Sequence, residues 1–334
     1  MNQKQSDISI HQDEKENTEI EVDVIADEIE NTDRGDTAAD RHADYRERIK
    51  HFILMNDPLA RVVFDDDPTL EYMLRILMNK PDLTIESKTI QADYKNLEGR
   101  SVVMDIVAKD SNGIVYNVEI QQKSEGAVPE RARYNAGMID SKELHENEDF
   151  TKLPNAFVIF ITDRDETDHI LSEETIPAVK PGKAGCEKEA EDDSEKPYVH
   201  EIVRVDKMTG RIFKDRQTII YINSRMRVDS DLGRLMHDFH CENPDDMYCA
   251  EIADRVRKIK ESPKEVERMC REMDRIYNDG EVYGAKRSQV KVALNMINDN
   301  QPADKISQYS ELTIEEVQSL QERKKRKDAL AAQV

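Results

Sequence analysis

The chain has 334 residues, of which 37% are hydrophobic and 36% are Asp, Glu, Lys or Arg, and its formal net charge at pH 7 is -22. This composition supports one substantial core with appendages. Its four cysteines are too few and too irregularly spaced for a disulfide framework, and no apolar run resembles a signal peptide or a membrane span. We therefore expect a protein of a reducing compartment, the cytoplasm, with no membrane partner.

The negative charge is concentrated near the N-terminus. Residues 1–40 contain 13 Asp or Glu and 3 Lys or Arg, so this segment carries -10 of the net charge of -22. Such an acidic segment, with few aromatic or large apolar residues, predicts an acidic disordered tail over residues 1–44. The acidity is unfavourable for a nucleic-acid partner, although a bound metal or a local Arg cluster can reverse the field at a site.

Two helices and a strand are predicted after the tail. The first helix begins near Tyr45 and leads to Asn56-Asp57-Pro58, where Asp57 can serve as a helix cap. The second begins at Asp67-Pro68 and presents a core stripe at helical spacing. That stripe consists of Leu70, Met73, Leu74, Leu77 and Met78. A strand over residues 83–91 follows.

A β-hairpin is predicted over residues 101–121, because two segments rich in Val, Ile and Tyr flank Ser111-Asn112-Gly113. A three-residue turn with Gly113 in the left-handed region places Asp105 opposite Glu119. A two-residue turn would place Asp105 opposite Ile120 and separate the two carboxylates onto different faces. We favour the three-residue turn.

The favoured register gathers polar side chains on one face of the hairpin, and these are Asp105, Asn117, Glu119 and Gln121. Two carboxylates in opposed positions destabilise a strand pair, and a divalent cation between them would remove that repulsion. Their hard oxygen ligands suit magnesium or manganese. A solvated outer face of the sheet is the alternative; it explains Glu119 and Gln121 better than it explains Asp105.

Further elements follow the hairpin. Pro129 predicts a helix start, and Ala156–Thr162 is a continuous apolar run typical of a strand buried on both faces. An exposed acidic insertion is predicted over about 170–197. Two more strands, over residues 202–205 and 218–222, are separated by a turn at Thr209-Gly210.

The last third of the chain is predicted to be helical. We divide it into a helical extension over residues 226–284 and a small helical tail over residues 285–334. Thr313 and Glu316 predict a capping box, and the basic run Arg323–Lys327 follows. This tail resembles a helix-turn-helix and is interpreted either as a DNA-docking module or as a packing or oligomerisation element. The spacing of His237, His240, Cys241 and Cys249 does not match a zinc site.

The hairpin motif also resembles a known family. The motif consists of Asp105 on one strand and Glu119-Ile120-Gln121 on the next. Gly99-Arg100-Ser101-Val102 precedes it, and Arg131-Ala132-Arg133-Tyr134 follows it. This motif is similar to that of the PD-(D/E)XK nuclease family transposases, a group related to recombination-promoting nucleases. Further segments share this resemblance. They are Asn56-Asp57 with Phe64, Leu153-Pro154 with Val158–Thr162, Leu232–Phe239, and Asp245-Asp246-Met247.

The resemblance implies an α/β restriction-endonuclease-like PD-(D/E)XK core with a mixed central sheet over residues 45–225, followed by C-terminal helices. It implies a bacterial, metal-dependent endonuclease that hydrolyses DNA phosphodiester bonds in recombination or transposition. The alternative is an inactive nuclease scaffold that binds DNA or another protein. A homo-oligomer is an option that the sequence does not decide.

The resemblance also assigns roles to residues. Asp105 and Glu119 would bind Mg or Mn together with the Ile120 carbonyl, and Gln121 would be a catalytic residue that orients water. Additional candidates are Asp57, as an acid near the metal, and Arg131 and Arg133, as phosphate contacts. We expect at most one of these arginines to reach the site, because residues two apart on a helix face different directions. Two departures from the wider superfamily are Met104 in place of proline and Gln121 in place of lysine.

Overall fold

The computed structural model describes residues 38–94, 101–172 and 198–331. Contacts divide the chain into two units, residues 1–48 and 49–334. Helix α1, Ala38–His51, begins in the first unit, and most of the predicted acidic tail and acidic insertion lies outside the described residues. The domain boundaries proposed from the sequence stay a prediction.

A six-stranded mixed sheet forms the centre of the second unit. Its strands are β1 Ile85–Tyr94, β2 Val102–Asp110, β3 Val115–Gln121, β4 Ala156–Thr162, β5 Val199–Ile202 and β6 Gln217–Asn223. They lie in the order β1-β2-β3-β4-β6-β5. Pairing is antiparallel from β1 to β3, parallel from β3 through β4 to β6, and antiparallel between β6 and β5. The predicted mixed α/β architecture is confirmed.

Helices surround the sheet and continue beyond it. They are α2 Asp57–Phe64, α3 Asp67–Leu77, α4 Pro129–Glu143, α5 Thr167–Ile170, α6 Asp231–Asp238, α7 Ala250–Glu261, α8 Pro263–Asn298, α9 Ala303–Ser310 and α10 Ile314–Ala331. Proline occupies the first turn of α2, α3, α4 and α8, where its missing N–H costs no hydrogen bond. The 36-residue helix α8 crosses the predicted boundary between residues 284 and 285.

The core lies between the sheet and the helices that cover it. Strand β4 is buried on both faces from Val158 to Thr162, as its continuous apolar sequence predicts. Ala132, Ala136 and Ile139 of α4 belong to the same apolar cluster as Val158 and Phe160. Small residues on α4 let the helix approach the strands closely, which places its first turns near the end of β3.

The turn of the predicted hairpin confirms its register. Gly113 has φ of +75°, and the Asp110 N–H donates to the Ile114 carbonyl at 2.9 Å. Val107 pairs with Asn117, as the three-residue turn requires. Regular pairing between β2 and β3 extends only to Ile106 and Val118. Asp105 and Glu119, at the next position of the register, lie just beyond the paired region.

The C-terminal helices form a separate apolar cluster that includes Ala293, Ile306 and Val317. The predicted capping box is confirmed at α10. The Thr313 N–H donates to the Glu316 carboxylate at 2.9 Å, and the Glu316 N–H donates to the Thr313 hydroxyl at 3.2 Å. Within the described residues, no helix combines the length and apolar composition needed to cross a membrane.

Candidate active site

Asp105 lies where β2 and β3 stop pairing. Its Oδ2 accepts a hydrogen bond from the Ile120 backbone N–H at 2.9 Å, so the side chain replaces the strand contact that is missing at this position. Asp105, Ile120 and Gln121 line a cavity of about 220 Å³. The fork between the strands therefore presents a carboxylate to an open space beside the sheet.

Asp57 reaches the same cavity from the first turn of α2. The helix-cap interpretation of Asp57 is wrong, because Asn56 occupies the N-cap position. Asp57 instead pairs with Arg61, which lies one helical turn away with an Nη2 to Oδ2 distance of 2.6 Å. The cavity thus has an acidic wall from α2 as well as from β2.

Gln91 on β1 lies between these two acids, and sequence reasoning missed it. Its side-chain Nε2 is 3.4 Å from Oδ1 of Asp57 and 3.4 Å from Oδ1 of Asp105. Its φ is +53°, a left-handed conformation that is uncommon for residues other than glycine. Strain of this kind is concentrated at functional sites. No sequence signal marks a glutamine for this conformation.

Glu119 is completely buried and fully hydrogen-bonded. Its Oε1 accepts from the side-chain amides of Asn117 at 2.8 Å and Asn135 at 3.2 Å. Its Oε2 lies 2.6 Å from a guanidinium nitrogen of Arg131. The solvated outer face that the sequence left open is therefore wrong for Glu119, which faces helix α4 in the protein interior.

Burial raises the pKa values of both hairpin acids, and a neighbouring carboxylate adds to each shift. The pKa of Glu119 rises to about 8, because burial disfavours its charged form and the nearby Asp105 carboxylate adds repulsion. Arg131 and Asn117 oppose this shift. Burial also raises the pKa of Asp105, and Asp57 adds to that effect, whereas the Ile120 N–H opposes it. The site concentrates negative charge that the surrounding protein only partly compensates.

Gln121 lies at the end of β3, two residues after Glu119, and lines the cavity. Its side chain packs over Gly126, where a Cβ atom would lie only 1.9 Å from Gln121 Oε1. The absence of a side chain at Gly126 therefore leaves room for the Gln121 amide. This glycine belongs to a short 3-10 helix, Ser124–Gly126, that leads to α4.

The two candidate arginines face different directions, as their spacing on the helix predicts. Arg131 contacts Glu119 and also donates to the Gly126 carbonyl at 3.1 Å. Arg133 is exposed on the same helix. Arg131 therefore lies beside the hairpin acids, whereas Arg133 faces solvent.

A family comparison matches the part of the chain that contains this site. The model of the PD-(D/E)XK nuclease family transposases matches residues 69–180. This segment is similar to that family, and the match covers about a third of the chain. It includes Asp105, Glu119, Gln121 and Arg131, whereas Asp57 precedes it. Neither the curated proteins nor the solved structures contain a match.

The oxygen ligands of this family segment fit a divalent cation. The carboxylates of Asp105 and Glu119 repel each other, and a hard cation prefers such ligands to the neutral amides nearby. The carboxylates of Asp57, Asp105 and Glu119 do not all lie within 4.8 Å of one another, since Glu119 is turned toward Arg131. Asp105, Asp57 and Ile120 line the cavity, whereas Glu119 does not.

A second polar cluster lies outside the family segment, where α6 ends. The donor atoms of His237, Asp238 and Cys241 lie within 4.8 Å of one another, whereas His240 instead contacts Ser224. Asp238 is fully buried, and its two oxygens accept the N–H groups of Tyr248 at 2.9 Å and Cys249 at 2.7 Å. These contacts connect the end of α6 to the start of α7.

Proposed function

We propose that the chain is a metal-dependent DNA endonuclease of the PD-(D/E)XK transposase family, which hydrolyses phosphodiester bonds in recombination or transposition. The observation that carries this proposal is the pair of buried, mutually repelling acids, Asp105 and Glu119, at the strand fork. A cation at this fork would offset the unfavourable ionisation of the fully buried Glu119. The match of residues 69–180 supports the same chemistry.

Asp105, Glu119 and the Ile120 carbonyl would hold the cation, for which magnesium and manganese are the candidates, and Glu119 would turn from Arg131 to reach it. When bound, such a cation polarises the phosphate and lowers the pKa of the attacking water. Asp57 adds negative charge to the same cavity. The contact between Ile120 N–H and the Asp105 carboxylate fixes the orientation of Asp105 before a ligand arrives.

Gln121 orients the attacking water in this proposal, because the residue lines the cavity two positions beyond Glu119. A neutral amide can donate and accept hydrogen bonds, but it cannot stabilise developing negative charge as an ammonium group does. Arg131 supplies the nearest positive charge and opposes the rise in the pKa of Glu119. Its guanidinium also suits a phosphate oxygen when DNA is bound.

Thermal unfolding with added metal tests this proposal against an inactive scaffold. We expect millimolar MnCl₂ or MgCl₂ to raise the melting temperature of the wild type, because binding to the folded state alone stabilises it. Asp105→Asn should lose this increase, while Asp82→Asn, which changes an exposed carboxylate outside the site, should keep it. Equal melting temperatures with metal and with matched ionic strength would favour the inactive scaffold.

A further inference from the structure

A basic hairpin lies at the opposite end of the sheet from the candidate active site. It spans residues 203–216, between β5 and β6, and its arms join through the Val205–Ile212 bridge. The turn contains Gly210, with φ of +67°, and the Gly210 N–H donates to the Asp206 carbonyl at 2.8 Å. This confirms the turn predicted at Thr209-Gly210.

The position of this hairpin follows from the strand register. Gln217, the first residue of β6, pairs with Ala156, and Ala156 pairs with Val115 at the start of β3. Gln121 is at the other end of β3, about 20 Å away at the usual rise per strand residue. Residues of the hairpin and residues of the cavity therefore lie at opposite ends of the central strands.

The charge of the hairpin is opposite to that of the chain. Residues 203–216 contain five Lys or Arg and two Asp, giving a net charge of +3 in a chain whose net charge is -22. Both acids have partners within the hairpin. Asp215 forms an ion pair with Arg204, and the Asp206 carboxylate accepts the Thr209 N–H at 2.7 Å.

Three exposed cations remain on this hairpin, and they are Lys207, Arg211 and Lys214. Among the described residues, none of the three has a side-chain hydrogen bond or ion pair with the rest of the protein. Arg216, by contrast, donates to the Thr151 carbonyl at 2.8 Å and holds the hairpin against the start of β4. The hairpin thus presents positive charge to solvent on an anchored support.

Apolar side chains are exposed between these cations. Met208 is 88% exposed, Ile212 64% and Phe213 63%. Phe150, next to Thr151 in the chain, is 79% exposed. Thr151, Ile212, Phe213 and Lys214 line a shallow groove. Exposed large apolar groups grouped in this way mark interaction sites.

We propose that this hairpin is a binding surface for single-stranded DNA, separate from the catalytic cavity. Phosphates complement its cations, and bases stack on exposed aromatic rings such as Phe213 with little dependence on sequence. Double-stranded DNA shields its bases and offers no comparable partner to Phe213. The inference extends the proposed function by adding a second DNA contact, but it concerns binding alone and does not depend on cleavage.

Fluorescence anisotropy with a labelled 15-nucleotide oligo-dT tests this surface, with excess chelator present so that cleavage does not interfere. The full chain is compared with the triple variant Lys207→Gln, Arg211→Gln, Lys214→Gln over a series of salt concentrations. We expect weaker binding and a slope of log K against log salt reduced in magnitude by about 2, because each lost contact to single-stranded DNA removes roughly 0.7. A charge-matched variant of exposed residues elsewhere, Lys258→Gln, Lys264→Gln, Arg271→Gln, should bind as the wild type does.

The aromatic contribution is tested by Phe213→Leu, which keeps an apolar side chain but removes the ring. We expect roughly tenfold weaker binding to oligo-dT, since a stacked base contributes about 1–3 kcal/mol. Circular dichroism and melting temperature show whether each variant is folded. Unchanged binding by both folded hairpin variants would overturn the proposal, as would tighter binding of a duplex of equal length or of poly-glutamate.

Asp105→Asn separates this inference from the proposed endonuclease. In chelator it should bind oligo-dT as the wild type does, because the cavity and the hairpin lie at opposite ends of β3. If the hairpin variants bind oligo-dT more weakly but the wild type does not cleave DNA, only the proposed endonuclease function is contradicted. If the wild type cleaves DNA and the hairpin variants bind oligo-dT as the wild type does, only the proposed binding surface is contradicted.

Discussion

The Arg131 guanidinium lies 2.6 Å from the Glu119 carboxylate, and that carboxylate is completely buried. Helix α4 therefore supplies, through Arg131, the positive charge that pairs with Glu119 on β3. Removal of one member of a buried ion pair is costly because the other charge loses its partner. In this pair the cost depends on pH, since Glu119 can also become neutral by binding a proton.

Arg131→Gln should destabilise the protein more at high pH than at low pH. At pH 6 Glu119 can take up a proton and lose its charge, whereas at pH 9 a buried carboxylate remains, and we expect a loss of about 3 kcal/mol. Urea unfolding at both pH values measures the difference. Arg133→Gln, on the exposed side of the same helix, should change stability by less than about 0.5 kcal/mol. An equal loss for Arg131→Gln at both pH values would contradict this account.

The raised pKa of Glu119 predicts how stability changes with pH when no metal is present. Its pKa in the folded protein is about 8, compared with an ordinary value of 4.5, so the folded state retains a proton that the unfolded state releases. This contribution to the free energy of unfolding is complete below pH 4.5 and is lost as pH rises to about 8. Urea unfolding of the wild type and Glu119→Gln in chelator over that range measures it.

Glu119→Gln should show a flatter decline in stability with pH than the wild type, since the glutamine cannot ionise. As pH increases, the free energy of unfolding of the variant should rise relative to that of the wild type. A wild type that becomes more stable relative to Glu119→Gln at high pH would mean that Arg131 compensates the carboxylate fully.

Gly126→Ala should disturb catalysis without removing a metal ligand. The added Cβ would lie 1.9 Å from Gln121 Oε1, so the flexible glutamine side chain must move. A displacement of about 1 Å at a reacting group can reduce the rate by roughly 100-fold. We expect slower plasmid cleavage with an unchanged metal-dependent rise in melting temperature. Gly137→Ala, where a Cβ would meet nothing within 4 Å, is the matched control.

Asp57→Asn tests whether the acid on α2 contributes to the cavity chemistry. Asp57 is in the first helical turn and pairs with Arg61, whereas Asn56 occupies the N-cap position. The substitution should therefore change stability by no more than about 1 kcal/mol, since Asp57 is half-exposed and Arg61 keeps Glu272 as a partner. We expect a weaker response of the melting temperature to manganese. A response identical to that of the wild type would assign Asp57 to the ion pair with Arg61 alone.

Local signals in the sequence predicted much of the hairpin and its surroundings. Gly113 permits the three-residue turn, and that turn fixes the register of Val107 and Asn117. The capping box at Thr313 and Glu316 depends on residues three apart, so it can also be recognised without tertiary structure. These predictions succeeded because short-range geometry determines them.

The environment of the acids depends on contacts that no local pattern encodes. Asn135 reaches Glu119 because α4 packs on β3, and the two residues are 16 positions apart. Gln91 lies between Asp57 and Asp105 through an irregular backbone on a third element. Alternating polar residues on β3 suggested a solvated face as readily as a buried one. Only the position of α4 decides between them.

Nicking of supercoiled plasmid by the purified full chain tests the central claim most directly. Reactions with magnesium, manganese or chelator are compared for the wild type, Asp105→Asn and Glu119→Gln. The account predicts cleavage by the wild type that requires metal and disappears in both folded variants. Metal-dependent cleavage that survives in both variants would contradict the assignment of Asp105 and Glu119, and its absence from folded wild type across all metals would contradict the endonuclease itself.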